Sequence, residues 1–204
     1  MALRSDIAAK LTRCLHVYIA PTPPFGFGIF SARPRKKGEV IVVDEEGDYF
    51  ERALTYRELV ARGYDVHDDV VQVGTDAFVP ATGTVDDLIN HSCTPNCGVK
   101  LTPNGYLVVA LRHIDRDEQL TYDYSTFMTT DYGEMVCLCG SPECRGRIAG
   151  FETLPLKLRR KYIALGIVGA FAAEAAGMKP RPQVWREPAR EPAVAEVGVT
   201  TAAE

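Results

Sequence analysis

Three thiols, Cys137, Cys139 and Cys144, fall within eight residues of one another. A fourth, Cys93, lies upstream in the run Asn90-His91-Ser92-Cys93-Thr94-Pro95-Asn96-Cys97. Spacing this tight suits metal ligation rather than a disulfide scaffold. A structural zinc site needs four soft or borderline ligands in a tetrahedron, with thiolates at about 2.3 Å. Gly140, Ser141 and Pro142 let the backbone of the triplet fold round an ion. The remaining ligand must come from elsewhere, and Cys93 is preferred to Cys97 or Cys14 because it sits beside the other chemically distinctive residues. A closed four-thiolate centre leaves no open position for catalysis, so the expected role of the metal is to hold structure.

What such a centre would hold is more telling. Asn90 and His91 precede Cys93, and Tyr122-Asp123-Tyr124 closes a strand-like run downstream. A ligand two residues after the Asn-His pair would fix its amides for a polar ligand. Gly26 and Gly28 suit the same purpose, since glycine lets backbone approach a ligand closely. Phe25 and Phe27 alternate with them and could cover an adenine-like ring. The glycine pair lacks the GxGxxG continuation and the βαβ setting of a dinucleotide fingerprint.

These groups need a scaffold, and the pattern around them predicts a mainly β fold with short helices. Strands are expected over 15–19, 40–43, 69–73, 77–79, 107–111 and 119–124, separated by Gly, Pro and Asp turns, with aromatic and aliphatic side chains alternating with glycines over 25–30. A short helix is expected from Tyr56, stopping on Gly63. From Leu154 the chain turns helix-favouring up to Gly177, and beyond Met178 a Pro-, Ala- and Glu-rich tail has no hydrophobic pattern and reads as disordered.

Bulk properties narrow the class of partner. The 204 residues can bury a real core, and the formal net charge is −4. Residues 1–150 carry 15 Lys and Arg against 21 Asp and Glu, whereas 151–204 carry 8 against 6. An acidic first part suits a basic peptide better than nucleic acid, whose binders are usually basic. Charges interrupt the N-terminal segment, so it does not read as a secretory signal, and residues 162–178 fall short of a membrane-spanning helix. The expected setting is a soluble, reducing compartment, the cytoplasm, with the nucleus also open.

In order and spacing these pieces resemble the SET-domain protein lysine methyltransferases. A GxG element at Phe25-Gly26-Phe27-Gly28 is followed by Asn90-His91-Ser92-Cys93-x-Pro95-Asn96. An ELxxDY-like element at Gln119-Leu120-Thr121-Tyr122-Asp123-Tyr124 comes next, and then a post-SET CxCx4C. The resemblance covers roughly residues 15–150. It implies a β fold with a pseudo-knot, S-adenosylmethionine as methyl donor, and a lysine of a basic protein or peptide as acceptor. It also implies that Phe25, Gly26, Phe27, Gly28, Asn90 and His91 bind the donor. Tyr124 would be the catalytic tyrosine, and Cys93, Cys137, Cys139 and Cys144 the zinc ligands. Tyr at 122, where the family has Phe or Tyr, implies mainly monomethylation.

The corresponding organisation is an N-terminal extension over 1–14, a SET domain over 15–125 and a post-SET region over 126–150, then a C-terminal helical segment over 151–177 and a tail over 178–204. The chain departs from the family at Asp87, Leu88 and Gln119, and carries Val70-Val71-Gln72-Val73-Gly74 where a tyrosine motif is usual. The competing reading is a catalytically silent, zinc-stapled module that binds protein partners through its acidic face.

Overall fold

The computed structural model describes residues 16–44, 49–64, 70–81 and 85–180. The expected N-terminal extension with Cys14, the middle of the acidic 44–51 loop and most of the expected tail lie outside the described residues.

The chain opens on an antiparallel pair, β1 (Val17–Pro21) and β2 (Phe27–Ser31), joined by the 22–26 turn. A three-stranded sheet follows in the order β3-β8-β7, with β3 at Val40–Asp44, β7 at Cys97–Thr102 and β8 at Gly105–Ala110. All six residues of the middle strand are buried, which is why its sequence is an unbroken apolar run rather than an alternating one. β7, by contrast, begins on the polar Asn96-Cys97-Gly98 step and was not marked by hydrophobic pattern. Helix α1 (Tyr56–Ala61) starts on a capping box, with Thr55 Oγ1 accepting from Glu58 N–H and the Glu58 carboxylate accepting from Thr55 N–H. It stops before Gly63, at φ +80°. β4 (Val70–Gly74) and β5 (Ala77–Pro80) then form a separate antiparallel hairpin.

Arg35 anchors the first half from inside. Its side chain is fully buried, and its guanidinium donates to Ser31 Oγ at 3.0 Å, Glu39 Oε1 at 2.9 Å and the His16 carbonyl at 2.8 Å. A buried cation is tolerable only when its donors are matched in this way.

Two expectations change. The 119–124 run yields a strand of two residues, β9 (Thr121–Tyr122), and Tyr124 instead opens a 3-10 helix over Tyr124–Phe127. Asp123 causes the change, because its carboxylate accepts the Ser125 N–H and caps that helix. The C-terminal run is two helices rather than one, α2 (Leu156–Leu165) and α3 (Ala170–Ala175). Gly166 adopts φ +67° and ends α2, so the chain turns through Ile167 and Val168 before α3 begins. Ile167, Val168, Phe171, Phe151, Phe127 and Tyr162 form a second core beside the sheet. No helix among the described residues is long and apolar enough to cross a membrane.

Candidate active site

A parallel ladder of two residues organises the site. β6 (Asn90–His91) pairs with β9 so that Asn90 faces Thr121 and His91 faces Tyr122. Neither strand is long enough to hold itself, and Asn96 supplies the missing restraint. Its buried amide donates to the Gln119 carbonyl at 2.7 Å and to Glu118 Oε1 at 2.9 Å, and its oxygen accepts the Thr121 N–H at 2.9 Å. With donors and acceptor both engaged, the amide fixes the strand that carries Tyr122 and leads into Tyr124. Glu118 is held in turn by Arg112, which offsets the effect of its burial and keeps its carboxyl below the usual range.

β2 joins the ladder from the other side, through Leu120 N–H to the Ile29 carbonyl at 2.8 Å. The two glycines there serve different needs. Gly26 sits at φ +80° in open space, so the 22–26 turn needs its conformational freedom. Gly28 is needed for room: a Cβ there would lie 2.6 Å from Gln119 Nε2 and 2.9 Å from Asn90 Nδ2. Asn90 Nδ2 donates to the Phe27 carbonyl at 3.1 Å and approaches Thr22 Oγ1 at 3.3 Å. The GxG strand and the Asn-His pair, more than sixty residues apart in sequence, are therefore in direct contact. Phe25 remains 45% exposed at the rim, where a ring could lie against a ligand.

Tyr122 and Tyr124 stand side by side, ring centroids 4.7 Å apart, in the wall of a cavity of about 170 Å³. Phe127, Met128 and Tyr132 continue that wall, and Val71, Gln72 and Phe78 of the β4–β5 hairpin face it. The Tyr124 hydroxyl donates to the Ile89 carbonyl at 2.9 Å, and its backbone N–H donates to His91 Nδ1 at 3.2 Å. Burial lowers the His91 pKa to about 4, with Asp123 opposing the shift and Arg145 adding to it. The ring is therefore neutral at pH 7. Because Nδ1 accepts, its proton sits on Nε2, which lies 3.3 Å from Cys93 Sγ.

The sulfurs lie close together. Cys93 Sγ lies 3.7 Å from Cys137 Sγ, which lies 3.6 Å from Cys144 Sγ. These separations are too long for disulfides, whose sulfurs sit about 2.05 Å apart, and close to the edge of about 3.8 Å for a tetrahedron with 2.3 Å zinc–sulfur bonds. Cys139 completes the group: the ligand atoms of His91, Cys93, Cys137 and Cys139 all lie within 4.8 Å of one another. Burial pushes the Cys93 and Cys137 thiols up, while hydrogen bonds involving Ser141 and Cys93 outweigh burial at Cys139 and bring it to about 6. Cys93 and Cys137, buried thiols that resist ionisation without a counter-charge, are donors a zinc ion suits. Cys97 stands apart, fully buried in β7, where burial pushes its thiol up to about 12.

Sequence reasoning passed over several residues that tie these parts together. Arg145 is the main one. Its backbone N–H donates to Cys93 Sγ at 3.4 Å, and its guanidinium grips the buried Asp123 carboxylate at 2.8 and 2.7 Å. One residue thus links the thiol cluster to the element between the two tyrosines. Asn96 belongs here too, since its amide pins residues 118–121. Gln72 is a third, its amide exchanging hydrogen bonds with Thr129 across the cavity wall, including Thr129 N–H to Oε1 at 3.0 Å. A carboxylate flanked by tyrosines in a predicted strand calls for a buried cation, but that signal does not say which arginine or lysine supplies it.

Residues 26–125 match the family model described as the SET domain. Among curated proteins, the histone H3-lysine(4) N-trimethyltransferase ATX1 of Arabidopsis thaliana is 34% identical over 140 residues, 62% of this chain and 12% of that protein. The H3 lysine-4 specific histone-lysine N-methyltransferase of Emericella nidulans is 45% identical over 69 residues, 31% of this chain and 6% of that protein. The chain thus spans only about an eighth or less of the length of these relatives. In three dimensions, the methyltransferase domain of human histone-lysine N-methyltransferase SETMAR superposes with a TM-score of 0.50 at 20% identity, over 66% of this chain and 58% of that one, a likeness of fold.

Proposed function

From the premise that the chain carries a SET domain, residues 26–125, we propose that it transfers a methyl group from S-adenosylmethionine to a lysine side chain of a protein substrate, mainly once per lysine. The observation that carries the reading is that the Asn90–His91 strand, which Gly28 packs against, pairs with the strand of Tyr122, while Tyr122 and Tyr124 line a mainly apolar cavity.

S-adenosylmethionine supplies a methyl group already activated by a sulfonium. The protein's task is therefore alignment and deprotonation. Phe25, Gly26, Phe27, Gly28, Asn90 and His91 are assigned to the donor, with the glycine strand giving backbone access and Phe25 an aromatic face. A lysine entering the cavity leaves water for walls of Val, Phe, Met and Tyr. Such desolvation disfavours its ammonium form and lowers its pKa toward neutrality. Tyr124, whose hydroxyl already donates to Ile89, presents its oxygen lone pairs as the group that orients the neutral amine. Tyr122 is assigned to limit the space left for an already methylated amine.

Cys93, Cys137, Cys139 and Cys144 would hold zinc, which neutralises their negative charge and fixes the loop after residue 136. Arg145 then carries that rigidity to Asp123. The two relatives are named for histone H3 lysine 4, so a basic histone-tail peptide is the first substrate to test. Incubation with labelled S-adenosylmethionine and core histones should label the protein pool. Tyr124→Phe should lower kcat by about 100-fold, the scale of losing one positioned polar group in a dry site. Equal labelling by wild type and variant, or none by either, overturns the reading in favour of a silent interaction module.

A further inference from the structure

Asp123 is 1% exposed, and its carboxylate needs a counter-charge and several hydrogen-bond donors to be tolerated. Arg145 takes both oxygens and the Ser125 N–H takes Oδ1. The remaining donor comes from beyond the SET-domain match. Tyr162, in the middle of α2 and itself 1% exposed, donates its hydroxyl to Asp123 Oδ2 at 3.2 Å. Partly satisfied buried charges are the costly ones, so this fourth hydrogen bond decides how firmly Asp123 is fixed.

Two further contacts bring the same C-terminal unit to the same place. The Gly169 N–H, at the start of α3, donates to the Thr126 carbonyl at 3.0 Å, in the 3-10 helix that Tyr124 opens. Ile167, in the turn between α2 and α3, occupies the space over Gly98, where a Cβ would lie 2.6 Å from its Cγ2. The three contacts grip the carboxylate between the tyrosines, the helix that follows them and the β7 strand behind them.

We propose that Tyr162 is a positioning residue for methyl transfer, and that the α2–α3 unit is a working part of the active site rather than an appendage to it. The inference rests on the methyltransferase reading above. Tyr162 touches neither donor nor lysine; it acts through Asp123 on the directions of Tyr122 and Tyr124. Loss of its hydroxyl should therefore affect the chemical step and leave binding alone.

Tyr162→Phe keeps the buried ring and removes only the hydroxyl. The expected result is a kcat about tenfold lower, the scale of a small misplacement near the reacting atoms, with KM for donor and for a histone-tail peptide within about twofold. Zinc content should equal that of wild type. Amide hydrogen exchange should accelerate over residues 121–127 while the β7–β8 hairpin keeps its protection. Unchanged kcat and unchanged exchange overturn the proposal. So does general loss of protection or unfolding, which would make Tyr162 a fold residue only. An inactive wild type would defeat the methyltransferase reading, and the exchange comparison would still decide whether Tyr162 fixes the tyrosine element.

Discussion

The two walls of the cavity are built on opposite plans. The wall of Tyr122 and Tyr124 is fixed by polar groups with nearly every valence used: Asn96 on residues 118–121, Arg145 and Tyr162 on Asp123, His91 on the Tyr124 backbone. The facing wall, the β4–β5 hairpin, is a two-stranded sheet on its own, joined to the rest by the backbone exchange between Leu54 and Phe78, by Tyr132 Oη donating to the Thr75 carbonyl at 2.9 Å, by Gln72–Thr129 and by ring packing of Phe78 on Tyr132 at 4.6 Å. An isolated hairpin is marginal by itself. Directional bonds hold atoms to fractions of an ångström, whereas apolar contact tolerates sliding. The molecule aims most of its side-chain hydrogen bonds at the wall where a reaction would need alignment, and holds the hairpin largely through backbone bonds and ring packing, so that the apolar side chains of that wall are the freer to adapt.

That contrast can be broken in several places. The largest effect should follow removal of metal from the thiols. Chelation, or Cys137→Ser, should lower methyl transfer by about 100-fold while circular dichroism still reports a folded β protein, because the metal acts through the geometry it imposes on its surroundings. Full activity in a protein shown by metal analysis to be zinc-free would mean that Arg145 and Asp123 need no anchor. Gly28→Ala comes next. With Asn90 and Gln119 atoms within 3 Å of the new methyl, KM for the donor should rise about tenfold and the peptide KM stay put. Equal donor affinity would show that the fixed wall yields more than its bonds suggest.

On the adaptable side, Gln72→Ala leaves the buried Thr129 N–H without its acceptor and should cost about 1–3 kcal/mol in denaturant unfolding. Its kinetic effect should be a few-fold rise in peptide KM at constant kcat, the reverse of the Tyr162 pattern. Smallest in rate is Tyr122→Phe, which should change product rather than speed: di- and trimethyl-lysine should appear by mass spectrometry where wild type gives mainly monomethyl. The Arabidopsis relative is named a trimethyltransferase, so an unchanged distribution would remove Tyr122 as the limiting group.

The chemistry-bearing residues were legible in the sequence because their spacing is local. Asn90-His91-x-Cys93 and the CxCx4C triplet announce a ligand set before any fold is known, and the thiols do converge. The β character was legible from apolar runs such as residues 107–111. What stayed hidden is whatever depends on partners far along the chain. Asp123 reads as the middle of a motif, and nothing near it indicates Arg145 22 residues on or Tyr162 39 residues on. The break at Gly166 was masked because alanine and leucine on either side favour helix strongly enough to read through it. Gln72 occupies a stretch that seemed only to lack a tyrosine motif, because a hydrogen bond across a cavity leaves no periodic trace.

The slot over Gly98 also has a consequence for the order of assembly. Strand β7 is made early and Ile167 late, since 69 positions separate them. During synthesis, residues 97–110 can pair as a hairpin long before the group that fills the slot has emerged. The tyrosine element would then wait, already translated, without its backing.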